Sequence, residues 1–388
     1  MFGGVNVLAA DTPKPATTGR TIKLGWIGCG GRGAWLAKLF REHGGFEFVA
    51  VADYFQDAVQ ACGEALGVDK SRRFTGLSGY KKVLDCGVEA VGVLDVPCFY
   101  PEQAAAAVEA GCHVYIAKPV AVDAPGCLAI ETAGKLATAK NLCFLVDYQV
   151  PTDPINIEIA QRIWDGGLGR LRAVTTIGQG GGNQSPDPPK GKTIESRLRG
   201  SVWCNDIPLG GDPIVNYDIH TIDTTVWAIR RRPISAVGYS RVCRPNPHGD
   251  AQDLAFITFE CPDGLLWNHQ TMRLPDHGGV SLACNIHGQL ASAKICYWGK
   301  SFLRGGPKHF GGGIVDNLYD LGAKRNVAAF HCAIVERRFD NPTVRRAVDG
   351  TLTAILGREA AIRDVRMTME ELLKENRKLE LDLSGLKV

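Results

Sequence analysis

The sequence predicts an α/β protein in two main parts: a parallel sheet wound by helices, then an α+β part with a large open, mostly antiparallel sheet. Three observations carry this. Between Thr21 and Tyr148, short β-type apolar runs alternate with helical stretches, the order that builds a parallel sheet with right-handed crossovers. After Val150, β-type runs follow one another instead. The 388 residues, 45% of them hydrophobic, suffice for two globular cores.

The first part is assigned residues 21–148. Its apolar runs are 22–27, 46–52, 90–94, 113–117 and 142–146, with helices near 34–42, 56–66, 101–110 and 124–139. Pro101 suits a first helical turn, and the alanine-rich stretch behind it favours helix. The first run leads into Gly28-Cys29-Gly30-Gly31-Arg32-Gly33, a G-x-G-x-x-G loop that opens a helix. In that pattern Gly28 permits the tight turn, Gly30 admits a pyrophosphate close to the backbone, and Gly33 lets helix and strand pack. The helix N-terminus offers free N–H groups and the positive end of its dipole to the phosphates. Asp53, twenty residues past Gly33 at the end of the second run, is placed to accept from a ribose hydroxyl. Strand, loop, helix, strand and acid together predict a Rossmann dinucleotide-binding domain, with residues 28–33 and Asp53 at the cofactor. Asp53 repels a 2′-phosphate, and Tyr54, Phe55 and Gln56 follow it with no arginine, so the expected cofactor is NAD.

The second part is assigned residues 149–340. A helix is expected over 155–165, stopped by Gly166-Gly167, then runs at 171–177, 234–242, 253–260, 264–272 and 279–286. Cys261-Pro262-Asp263-Gly264 reads as a hairpin turn. The Gly/Pro/polar stretch Gln179 to Lys192 is long enough to suggest a functional loop. Residues 341–388 are expected to be mostly helical, with Val344, Val348, Leu352 and Ile355 at helical spacing, and to pack back on the first part. A flat open sheet predicts a homo-oligomer, a dimer or tetramer.

Composition narrows the function. A net charge of +3, with only short clusters such as Arg230-Arg231-Arg232, gives no support for nucleic-acid binding. The thirteen cysteines form no C-x-x-C pair and no zinc-type spacing, so no metal site is expected and they read as small buried hydrophobes. No stretch is long and apolar enough to span a membrane. Residues 1–20 have two readings, the end of an export signal or an ordinary tail, because Phe2 to Ala10 is small and apolar but no basic region precedes it. Localisation stays open with them: periplasmic if they are a signal remnant, otherwise cytoplasmic.

Three further patterns carry chemistry. Lys118 follows the run 113–117, at the carboxyl end of a parallel strand, where ligands bind in such sheets. Gly210-Gly211-Asp212 precedes Asn216, Asp218, His220 and Asp223. Asp95-Val96-Pro97-Cys98-Phe99-Tyr100 joins the third run to its helix. Oxidising a hydroxyl needs a hydride acceptor and a positioned base; His220 suits proton transfer near neutral pH, and Lys118 suits an alkoxide or, with a lowered pKa, the base itself. His248, Asp250 and Asp253 read equally as pocket lining or a solvated loop.

In this order and spacing the motifs resemble the Gfo/Idh/MocA family of glucose–fructose oxidoreductases and inositol dehydrogenases, from Ile22 to about Arg363. The resemblance implies that Lys118 approaches nicotinamide and substrate, that Asp95, Pro97 and Tyr100 border the cofactor, and that His220 and Asp223 match the family's His-x-x-Asp. It implies catalytic roles for Lys118 and His220, with Asp218 as an alternative carboxylate because Asn216 replaces the family's aspartate. Tyr148, Gln149, Trp203 and Asn216 become substrate contacts. Ala117 stands where the family's lysine motif has glutamate. The activity implied is an NAD-dependent oxidoreductase acting on a sugar, cyclitol or glycoside. The alternatives are a redox-neutral NAD-dependent glycosidase, to which the long loop and incomplete triad point, and a non-catalytic NAD or sugar binder.

Overall fold

The computed structural model describes residues 19–180, 186–274 and 279–388. The expected leader therefore lies outside the described residues except for Gly19 and Arg20, as do residues 181–185 of the Gln179–Lys192 loop. No described helix is long and apolar enough to cross a membrane.

The first sheet has six parallel strands: β1 Ile22–Ile27, β2 Phe46–Asp53, β3 Arg73–Thr75, β4 Ala90–Val93, β5 His113–Ile116 and β6 Phe144–Val146, in the order β3-β2-β1-β4-β5-β6. The order reverses at β1, so the chain leaves β1 and β4 in opposite directions and opens a crevice at their carboxyl ends. β3 went unseen in the sequence because a three-residue Arg-Phe-Thr edge strand carries no periodicity. Trp26, Phe40, Tyr115 and Phe330 pack edge to face in the core, with Phe40 5.2 Å from Trp26 and 5.0 Å from Tyr115. Phe330 comes from the helix Leu318–Val335, so a late segment completes the first core.

The second sheet has nine strands: β7 Leu171–Gln179, β8 Ser235–Arg241, β9 Leu254–Glu260, β10 Leu266–Met272, β11 Ser281–Gly288, β12 Ala291–Cys296, β13 Gly299–Gly305, β14 Phe310–Val315 and β15 Met367–Thr368. Their order is β14-β13-β12-β11-β7-β10-β9-β8-β15, and every pair is antiparallel except β7–β10. β12 to β14 are additions to the sequence reading; glycine and charged residues had masked their alternation. Along β8 to β10 the pattern is strict: Ala236, Ile257 and Trp267 are buried, while Val237, Tyr239, Phe256 and Leu266 are exposed. The covered face carries the helices Pro154–Trp164, Ile219–Ile229 and Pro342–Arg363. Pro342–Arg363 also lies on the first sheet's helix Ala124–Ala139, and Asn341 accepts from Phe144 N, so it ties both sheets together. Helix Ile219–Ile229 thereby brings its N-terminus to the crevice of the first sheet.

Candidate active site

At the cofactor end, β1 turns at Gly28, whose φ is 92°. The helix Gly31–His43 begins inside the glycine loop, three residues earlier than the sequence pattern indicated. A Cβ on Gly33 would collide with the carbonyl oxygen of Gly28, whereas Gly30 and Gly31 face open space. The loop is thus closed on its packing side and open where a pyrophosphate would lie, and NAD fits it. Asp53 ends β2 and accepts from Cys29 N at 2.7 Å and Phe55 N at 2.9 Å, bracing the loop. Burial raises its carboxyl pKa against those two hydrogen bonds. Asp95 accepts from Val96 N and Gln103, and burial followed by the nearby Asp53 lifts it to about 6. Pro97 starts the turn that leads to the buried Tyr100.

Two segments invisible to the fingerprint roof this end. Arg199 crosses to the start of the second helix, bidentate to Asp57 at 2.7 and 3.0 Å and 4.1 Å from the Phe55 ring. The C-terminal tail runs past Asp123, then inserts Leu381 and Leu386 among Val96, Phe99, Tyr54, Trp203 and Leu209. Leu77 N donates to Lys387 O at 2.9 Å, and Lys387 N to the Tyr54 hydroxyl at 3.2 Å. Beneath them the cavity between Asp53, Tyr54, Leu77 and Asp95 holds only about 20 Å³ of free space.

At the other end, Lys118 leaves β5 and donates from Nζ to the Asn216 carbonyl at 2.6 Å. Burial first, and then the Arg32 guanidinium, lower its pKa to about 7. The His220 ring meets Tyr297 edge-on at 4.9 Å. Burial, Lys118 and Arg32 together hold His220 well below the usual imidazole value, so it is neutral at pH 7. Its Nδ1 and the Asn216 Nδ2 are buried without a hydrogen-bond partner among the described residues. Two unpaired polar atoms beside a near-neutral lysine are unsatisfied until a polar ligand enters.

Several expected contacts turn out to be supports. Arg32 lies between Trp35 and Tyr319 and pairs with Asp147 at 2.5 Å, with its Nη1 lacking a partner among the described residues. Asp147, which the sequence did not single out, also takes bonds from Gln149 and Asn326, and Gln149 in turn accepts from the Tyr297 hydroxyl at 3.1 Å. Gln149 is therefore an internal brace and not a substrate contact. Tyr148 points the other way, with Arg346 5.3 Å from its ring, because adjacent residues leaving a strand face opposite sides. Trp203 packs on Gly210 in the apolar roof. Asp218 is fully buried behind the site, accepting from Thr271 at 2.5 Å and paired with His269 at 3.0 Å; His269 reaches Thr176, which also accepts from Trp267. The Asp218 Oδ2 ties the 216–220 segment to β10, while its Oδ1 is buried without a hydrogen-bond partner among the described residues. Asp223 pairs with Arg346 at 3.0 Å. Asp253 is buried with Arg244, Asp187, Arg197 and Asp206 in an ion network, and Asp250 accepts from Ile207 N, so these acids pin the 186–212 segment and do not line a pocket. His248 donates its backbone N–H to Asp187.

The thirteen cysteines are all unpaired and eight of them buried. Among the described residues no cluster suited to a metal ion occurs.

Comparison with known proteins agrees with this geometry. Residues 22–148 match the model of the Gfo/Idh/MocA oxidoreductase family, NAD-binding Rossmann fold. An inositol dehydrogenase candidate from Sinorhizobium meliloti shares 18% identity at TM-score 0.67, covering 90% of this chain and 100% of its own. A levoglucosan dehydrogenase solved with NADH and L-sorbose shares 16% at 0.73, covering 91% and 100%. The WlbA dehydrogenase of Bordetella pertussis, solved with NADH and UDP-GlcNAcA, shares 19% at 0.70, covering 94% and 100%. At these identities the solved structures establish the shared fold. Residues 22–148 therefore carry the NAD-binding Rossmann fold described by the Gfo/Idh/MocA oxidoreductase family model, and the rest of the chain shares the fold of the dehydrogenases above.

Proposed function

We propose that the enzyme oxidises a secondary hydroxyl of a sugar, cyclitol or glycoside, with Lys118 as the base that takes the hydroxyl proton. The observation that carries this is the Lys118 amine, held by the Asn216 carbonyl at 2.6 Å, brought to about pH 7 and set beside an unpartnered His220 Nδ1. Bound NAD supplies the hydride acceptor. A base with a pKa near the working pH is efficient because its free form is populated and still basic enough to take the proton. The more strongly depressed His220 is the weaker base, so it serves as a neutral hydrogen-bonding group that orients the hydroxyl. Asn216 Nδ2 adds a second polar contact. The levoglucosan and WlbA enzymes, solved with sugars or sugar nucleotides, support a polyol substrate. The exposed Val237, Tyr239, Phe256 and Leu266 on the second sheet support assembly through that face, and with it a homo-oligomer. The test is incubation with free sugars, polyols and chromogenic glycosides, following NADH and released aglycone together. Net NADH with a polyol is expected; none across a broad panel counts against a dehydrogenase.

The roof over the cofactor favours a second reading, redox-neutral glycoside cleavage. There a glycoside oxidised on its ring loses its substituent by elimination, takes up water and is reduced again. Such a cycle needs a cofactor that stays, and the Leu386–Val388 tail over the Asp53 cavity supports retention. Aglycone release without net NADH, with solvent deuterium at C2, would establish it; retention of all C2 hydrogen would exclude the elimination.

A further inference from the structure

We propose that Arg273 recognises an anionic group on the substrate, so that the enzyme acts on an acidic sugar; this rests on the hydroxyl-oxidising site at Lys118 and His220. The strand β10 supplies the geometry. His269 and Thr271 face the buried Asp218, and the two-residue period of a strand puts Arg273 on the same side, just past the strand's end. Its backbone N donates to Asp253 O at 2.7 Å, which fixes where the side chain starts. The guanidinium then lies 4.3 Å from the centre of the Tyr217 ring. Tyr217 sits between Asn216, whose carbonyl holds Lys118, and Asp218, and is three residues before His220. Room for this pose comes from Gly180: a Cβ there would collide with Nη1 of Arg273.

What sets Arg273 apart is that it has no counter-charge among the described residues. Arg32, Arg197, Arg244 and Arg346, the other arginines around the site, each hold a carboxylate within 3.0 Å. Among the described residues Arg273 makes no ion pair; Asp147 pairs with Arg32, and Thr271 and His269 hold Asp218 by its Oδ2. The thiol of Cys204, raised by burial to about 11, is pulled back down by both Lys118 and Arg273, so both cations lie near it. Stacking on Tyr217 pre-orients a planar fork that matches a carboxylate or the oxygens of a phosphate or sulfate ester. A substrate whose oxidised carbon faces Lys118 would carry that group on its far side.

The NAD-loaded enzyme and its Arg273→Gln and Arg273→Lys variants are compared on glucuronate, glucose 6-phosphate, glucose 6-sulfate and glucose. Turnover is followed, and binding is measured separately by calorimetry. Wild-type enzyme is expected to prefer an acidic member, and the preferred one tells carboxylate from ester. Arg273→Gln should lower kcat/KM for it about 10- to 100-fold, mainly through KM, as loss of a charged hydrogen bond does, with glucose unchanged and Arg273→Lys partly restoring it. Equal loss for acidic and neutral sugars, no loss for either, or a wild-type preference for glucose would overturn the proposal. If no sugar is turned over but acidic sugars bind and Arg273→Gln abolishes that binding, the oxidation reading fails and the anion site stands.

Discussion

The two ends of the cleft are built differently. The cofactor end is built mainly from the first sheet, with the glycine loop tied to Asp53 through Cys29 N and only its roof supplied by Arg199 and the C-terminal tail. The substrate end is assembled from β5, the 216–220 segment, β10 and Tyr297, and it retains unpartnered atoms on Asn216 and His220. The first end is complete without ligand because it serves a constant partner. The second leaves polar groups open, and among its charges Arg32 does most to depress Lys118.

If the division is right, mutations should separate the two ends. Lys118→Met should cut kcat by about 10²–10⁴-fold, the range for a lost general base, while NAD titration by nicotinamide fluorescence stays within twofold. A parallel loss of NAD affinity would merge the two ends.

Gly33→Ala should act on the cofactor end alone. Its methyl meets the Gly28 carbonyl, and relief by shifting the helix costs about 1–3 kcal/mol. NAD affinity should fall about tenfold or more on that scale, with the pH profile of the residual activity unmoved. Removal of residues 379–388 should leave the chemistry but release the cofactor: wild-type enzyme is expected to keep NAD through gel filtration and the shortened one to lose it. Equal retention by both would remove the roof from the account.

The subtlest test is pH. Lys118 must be neutral to accept a proton, so kcat/KM should fall as pH drops through about 7, with the slope of one ionisation. Arg32→Gln removes the cation that helps depress Lys118 and leaves Asp147 uncompensated; both effects raise the lysine pKa, so the limb should move to higher pH. An unmoved limb would assign the ionisation to another group.

What was legible in the sequence has a common cause. The glycine loop, Asp53, Lys118 and the helices 56–66 and 124–139 are set by local geometry or by neighbours a few residues away, so their spacing survives in one dimension. The sequence also singled out His220 through its motif, and the fold sets its ring close enough to Lys118 to feel that charge. It could not tell that Tyr148 faces Arg346, that Gln149 braces Tyr297, or that Asp218 is held by β10, because each orientation depends on elements far along the chain. Nor could it foresee Arg199, Arg273 and the C-terminal tail, which reach the cleft only after the second sheet is stacked on the first. The amino-acid sequence by itself therefore determined the fold class and the cofactor. The tertiary structure decided which polar groups are spent on support and which remain free for a substrate, since hydrogen-bond satisfaction and pKa depend on burial and on charges that only folding brings together.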